Sequence, residues 1–215
     1  MFAKIKVNLT GDKSYYLHNG TELYYRQLSE AYVDVKAGGG KGYLLFSFFT
    51  LCAATLEYSL NFLLADYCIE QFGMDRYQTY LDEYLKLSFK NKLLMLPHIL
   101  SNGQFAMNED SASFKRLCEM INLRNKVLHN KEYLTEFELP LNLKVEDGYI
   151  VVPPGQENIE FQLTVKENAI EHLTQTNCLY FADALGEFKK LIMNPALNNE
   201  LKSNKLLKRA YGSRG

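Results

Sequence analysis

The chain has 215 residues, of which 47% are hydrophobic and 23% are charged. This length suits one domain with a substantial core, or one domain that carries a modest insertion. The formal net charge is -1, which excludes a protein that attracts nucleic acid through a global positive field. Any contact with RNA must therefore come from a local basic patch.

Cysteine usage and the first residues bear on the cellular compartment. The four cysteines stand far apart among apolar neighbours, and no Cys/His pair has the spacing of a zinc site. This pattern is typical of reduced core thiols in a cytosol, and it predicts no metal and no cofactor. Residues 1–10 lack the continuous apolar region of a signal peptide. We therefore expect a cytoplasmic protein.

The first part of the chain predicts a strand and then a helix. Alternating apolar residues at positions 5–9 indicate a short strand that Gly11 ends. Apolar residues spaced at three and four indicate a helix over residues 21–35. The glycine run at Gly38–Gly40 lacks the spacing of a phosphate-binding loop and its Ser/Thr, so it is interpreted as a linker.

A long apolar stretch follows at residues 43–71. It is long enough to span a bilayer. However, Glu57 and Asn61 lie near its middle, where a lone carboxylate is costly in lipid. The flanks also lack a clear basic bias. The stretch therefore predicts the buried central helix of a helical bundle, with no membrane partner.

Further helices are predicted by their capping residues. Asp75 and Ser88 are suitable N-caps for two helices. The second of these helices should end near Pro97 or Asn102. A polar stretch then begins another helix that runs towards Asn130.

The pattern changes after this helix. Residues 136–165 predict a small antiparallel β insertion, with a hairpin that turns at Asp147-Gly148 and a third strand at residues 159–165. A last long helix is expected at residues 167–193.

Together these elements predict a mainly α fold: a helical bundle with a small antiparallel β insertion before its last helix. One domain is expected over residues 1–196. The basic segment at residues 197–215 is interpreted as a solvated, frayed tail.

Polar residues interrupt the core-facing side of the helix that runs towards Asn130. On a helical projection Asn125 falls inside the apolar stripe, which contains Phe114, Leu117, Cys118, Ile121 and Leu128. Arg124 and His129 fall on opposite edges, about 140° apart. Burying an unpaired polar group costs roughly 1–3 kcal/mol, so these side chains need partners or a cleft. From spacing alone, Arg124 could pair with a carboxylate, and His129 could interact with the helix dipole.

The hexapeptide Arg124-Asn125-Lys126-Val127-Leu128-His129 on its amphipathic helix resembles the signature motif of the HEPN superfamily. Glu57 and Asn61 lie one turn apart on one face of the long helix. They resemble the buried acidic or polar residues that support the arginine in that family. The resemblance covers about residues 43–130 and the last helix.

The resemblance implies a HEPN-like bundle and a metal-independent endoribonuclease of a toxin or phage-defence system. It implies RNA as the substrate, a homodimer with a composite active site, and an antitoxin or regulatory protein as a further partner. On a single straight helix the heads of Arg124 and His129 can meet only if the arginine sweeps round, the helix distorts or a second chain completes the site. A dimer would bring two Arg/His sets together.

The resemblance also implies roles for individual residues. His129 would be the general acid or base for attack of the ribose 2′-hydroxyl on the adjacent phosphate. Arg124 would bind the phosphate and stabilise its developing charge. Asn125 would orient the imidazole or a phosphate oxygen. Lys126 would add a phosphate contact, although the sequence favours a solvated lysine at this position.

Two alternatives stay open. One is a HEPN-like domain without catalysis that binds a nucleotide, RNA or protein. The other is an unrelated helical protein whose motif is coincidental. One departure from the family concerns the antitoxin. HEPN toxins that are paired with a nucleotidyltransferase antitoxin have a tyrosine two residues after the histidine, where this chain has Lys131.

Overall fold

The computed structural model describes residues 8–10, 12–38, 41–128, 139, 143–155, 169–192 and 204–210. These residues include six α-helices: α1 (Thr21–Gly38), α2 (Gly42–Phe72), α3 (Tyr77–Leu85), α4 (Phe89–Leu100), α5 (Ala112–Leu128) and α6 (Gln175–Ile192). They also include six short strands: β1 (Asn8–Thr10), β2 (Lys13–Tyr15), β3 (Phe105–Met107), β4 (Lys144–Glu146), β5 (Tyr149–Val151) and β6 (Leu207–Arg209). The prediction of a mainly α fold with small antiparallel strands is confirmed.

The long helix α2 is the central element of the bundle. It contacts each of the other five helices, and it contributes the fully buried side chains Phe48, Leu56 and Leu60. Because α2 has neighbours on several sides, its sequence is apolar nearly all round. Among the described residues it is the one helix that is long and apolar enough to cross a membrane, and half of its most apolar stretch is buried inside the protein. The core helix of a bundle has the same length and apolar composition, and the sequence favours this interpretation of α2.

Two predictions about helix ends have different outcomes. The Ser88 hydroxyl accepts a hydrogen bond from the Asn91 backbone N–H at 3.3 Å, so Ser88 is the N-cap of α4 as expected. The prediction for Asp75 is wrong, because α3 begins at Tyr77 with Arg76 at its N-cap position and no side chain caps it. The helix α4 continues through Pro97 and ends at Leu100.

The last helix starts later than the predicted residue 167. The chain forms a short 3-10 helix at Ala169–His172, and α6 begins only at Gln175. The Thr174 hydroxyl accepts a hydrogen bond from the Asn177 backbone N–H at 3.2 Å. This contact caps a new helix, so the two segments are separate elements.

The predicted hairpin forms between α5 and α6. Strands β4 and β5 pair antiparallel, with Glu146 opposite Tyr149. Asp147 and Gly148 both have positive φ angles, 49° and 82°, as the two central residues of a type I′ turn require. The predicted third strand at residues 159–165 lies outside the described residues.

Two pairings at the ends of the chain were not predicted. Strand β1 continues through a turn into β2, which gives an antiparallel hairpin. Strand β6 pairs antiparallel with β3, and Leu206 just before it is fully buried in the main core. The interpretation as a frayed tail is therefore wrong for residues 204–210, because Leu206 buries its side chain and β6 forms backbone hydrogen bonds with β3. The side chains of Lys205, Lys208 and Arg209 are exposed, as a solvated segment requires.

All four cysteines are free thiols, and Cys52, Cys68 and Cys178 are buried. Burial disfavours the thiolate and raises the pKa of Cys178 from 9.0 to about 11. Burial likewise holds the pKa of Cys52 well above its ordinary value, with a further contribution from nearby Cys178.

Because these thiols are buried, we expect the protein to lose stability at alkaline pH. Between about pH 9 and about pH 11 the unfolded chain releases the Cys178 proton while the folded chain retains it. The stabilisation is therefore complete below pH 9 and is lost as the pH rises through 11. Urea unfolding under reducing conditions at about pH 8 and about pH 10 should show this loss. Cys178→Ala should reduce the difference between the two pH values, and an equal difference in both proteins would contradict the assignment.

Candidate functional site

A cleft of about 260 Å³ lies beside α2, α4 and α5. It is lined by Glu57 from α2, Phe89 and Lys92 from α4, and Ile121, Arg124 and Asn125 from α5, together with Leu85 and Leu87 from the end of α3 and the turn after it. Four of the lining residues are polar or charged, and the other four are apolar. The cleft therefore gathers residues that are distant in sequence at one place on the bundle.

The Arg124 guanidinium has two side-chain partners at this cleft. Its Nη2 lies 3.4 Å from Oε2 of Glu57, and its Nη1 donates a hydrogen bond to Oδ1 of Asn125 at 3.1 Å. The Arg124 and Glu57 side chains are 28% and 45% exposed, so water screens the ion pair, and its contribution to stability is small. The pair acts mainly to orient the guanidinium. A guanidinium has five N–H donors, so an incoming oxyanion can still be bound.

Lys92 is the site residue that sequence reasoning missed. It is only 7% exposed, and its Nζ donates a hydrogen bond to Oδ1 of Asn61 at 3.1 Å. Burial lowers the pKa of Lys92, and the negative charge of Glu57 partly opposes this effect. The signal in the sequence is positional: Lys92 stands at helical spacing with Phe89 and Leu96, where an apolar residue would be expected.

The structure corrects the predicted core face of α5. Asn125 and Leu128 are exposed, whereas the projection placed both on the packing face. Met120 is fully buried, and Leu123 and Val127 pack against the core. The reason is that α5 packs against both α2 and α6. Near the end of α5, the buried face is therefore rotated away from the predicted apolar stripe. Asn125 consequently lies at the cleft and not in the core.

Three predicted site residues remain. Asn61 is not one of the lining residues, but it bonds Lys92, which is. Lys126 is exposed on α5. His129 comes directly after the last residue of α5, and it lies outside the described residues. The convergence of Arg124 and His129 in a site formed by two chains therefore stays a prediction.

The charges of the cleft favour an anion. Arg124 and Lys92 contribute two positive charges, and Glu57 contributes one negative charge. This leaves a local positive excess in a chain whose net charge is -1. A cleft of this kind concentrates the positive potential at one point of the surface.

Comparisons with known proteins return no relatives: no family model matches the chain, and no match is found among curated proteins or solved structures.

Proposed function

We propose that this chain is a HEPN-type, metal-independent endoribonuclease of a toxin or phage-defence system, acting in the cytoplasm. The observation that carries the proposal is the position of Arg124. Its guanidinium is held by Glu57 and Asn125 at a cleft with a positive excess, and Lys92 is bound by Asn61 in the same cleft. Of the six residues that the HEPN resemblance singles out, Glu57, Arg124 and Asn125 form one bonded group at this cleft. A fourth, Asn61, bonds Lys92, which lines the same cleft.

The proposed reaction uses the 2′-hydroxyl of RNA as its nucleophile. The O2′–P bond forms while the P–O5′ bond breaks, which leaves a 2′,3′-cyclic phosphate and a 5′-hydroxyl. His129 would accept the proton of the 2′-hydroxyl or donate a proton to O5′. Arg124 would stabilise the charge that develops on the phosphate oxygens. A second chain would supply the other member of the Arg/His set, which makes the homodimer the functional unit.

A non-catalytic HEPN-like domain that binds a nucleotide, RNA or protein is the second candidate. It is favoured by the fact that the Arg124 guanidinium already has two side-chain partners, as suits a static binding site. An antitoxin or other regulatory protein would be a partner in either case.

Cleavage of RNA in the presence of EDTA tests the proposal. The wild type should cut a labelled RNA with both single-stranded and structured regions, and the products should carry cyclic phosphate ends. His129→Ala should lower the rate by roughly 10²–10⁴-fold, because the general acid or base is lost. His98→Ala is the matched control, since His98 is an exposed histidine in the last turn of α4, and its rate should equal that of the wild type.

The outcomes separate the candidates. Cleavage that persists in His129→Ala, or that requires a divalent metal, would remove the proposed mechanism. Binding of the RNA without cleavage by the wild type would support the non-catalytic candidate.

A further inference from the structure

Lys92 is an unusual residue for the position it occupies. An ammonium group loses much of its hydration when it is buried, and this is costly unless partners compensate for it. Among the described residues, the partner that the Lys92 ammonium bonds is the neutral amide of Asn61. Glu57 acts on it through charge, but Glu57 is half-exposed and also pairs with Arg124. An ammonium has three donors, so Lys92 retains donors for a ligand in the cleft that it lines.

The apolar residues that line the same cleft are the second observation. They are Leu85, Leu87, Phe89 and Ile121. Phe89 is partly exposed, and it lies one turn before Lys92 on the same face of α4. A ligand that contacts both Lys92 and Phe89 must carry an anionic group next to a flat or apolar group. A nucleotide has this character, since bases stack on aromatic side chains while the phosphate binds cations.

We infer that Lys92 is a second phosphate-binding residue of the cleft, beside Arg124, and that Phe89 supports the neighbouring base. The cleft thereby holds one nucleotide unit of an RNA strand. This inference rests on the proposed function for the identity of its ligand. The volume of about 260 Å³ is near the lower end for small-molecule sites, and it suits a single nucleotide. Asn61 acts as a positioning residue that fixes the Lys92 ammonium.

Binding of an uncleavable RNA tests the inference separately from catalysis. The probe is a fluorescein-labelled uridine oligonucleotide with 2′-O-methyl groups throughout, which lacks the attacking hydroxyl. Fluorescence anisotropy is recorded at several salt concentrations. Lys92→Met should weaken binding about tenfold or more. It should also reduce the slope of log Kd against log salt concentration by about one, because one phosphate contact is lost.

The other variants test the stacking contact separately from the phosphate contact. Phe89→Ala should weaken binding by roughly 5-fold to 150-fold with an unchanged salt dependence, because a stacking contact is lost and no charge changes. Lys90→Met is the matched control, since Lys90 is an exposed lysine on the same helix, and it should bind as the wild type does. Lys92→Gln retains a donor for Asn61, and it takes the place of Lys92→Met if the methionine variant does not fold.

Each result decides one of the two proposals. If binding depends on Lys92 with the reduced salt slope while the wild type cleaves no RNA, the inference stands and the nuclease function falls. If the wild type cleaves RNA while the Lys92 and Phe89 variants bind the probe normally, the inference is overturned and the function stands. Weaker binding of the Lys92 variant with an unchanged salt slope assigns Lys92 a packing role only, which also overturns the phosphate contact.

Discussion

Replacing Arg124 by alanine is expected to slow RNA cleavage by roughly 10²–10³-fold, the usual effect of removing a donor that stabilises charge in the transition state. The guanidinium is held in place by Glu57 and Asn125, so its donors are already oriented before the substrate arrives. Arg124→Lys should restore little activity, because an ammonium cannot present a planar fork to a phosphate. The measurement is the single-turnover cleavage rate, which reports the chemical step without product release.

Two further variants make this result interpretable. Lys115→Ala removes an exposed positive charge near the start of the same helix, and it should leave the rate unchanged. Glu57→Gln retains the size of the side chain and removes the charge that orients the guanidinium, so it should give an intermediate loss. An Arg124→Ala protein that is folded and cleaves at the wild-type rate would show that the cleft is not the active site.

Replacing Leu56 by alanine is expected to lower the free energy of unfolding by about 2–5 kcal/mol, through lost transfer free energy and the cavity that remains. Leu56 is fully buried, and it lies in the middle of the helix that contacts all the others. Urea unfolding gives the free energy directly. Tyr43→Ala on the same helix is the control, because Tyr43 is 71% exposed and its removal should change the stability little. Equal effects of the two substitutions would show that the middle of α2 is not the core.

The elements that the sequence predicts well depend on local signals. The long helix differs from its predicted bounds by one residue at each end, because its apolar run and the flanking glycines mark it clearly. The Asp147-Gly148 turn was also predicted, since few residue pairs accept two positive φ angles. The β3–β6 pairing was missed because each strand has only three residues and its partner is far away in the chain. No local pattern can reveal such a contact.

The candidate site was predictable in part, for similar reasons. The family resemblance singled out Glu57, Asn61, Arg124 and Asn125. The fold brings Glu57, Arg124 and Asn125 together in one bonded group at the cleft. Asn61 bonds Lys92, which lines the same cleft. The resemblance does not single out Lys92. Its position among apolar residues is a signal in the sequence, but the partner that explains it, Asn61, is supplied by another helix. The misplaced face of α5 has a related cause. A helical projection assumes one packing partner, and this helix has two.

The β4–β5 hairpin has a consequence for how this protein can diversify. It lies between α5 and α6, and these two helices pack directly against each other. The ends of the intervening segment are thus fixed by the core, while Val145 and Tyr149 at the hairpin are exposed. Lengthening such a segment costs little, about 0.6 kcal/mol for each doubling of a flexible loop. This part of the chain can therefore change in length and surface without a change in the residues around the cleft.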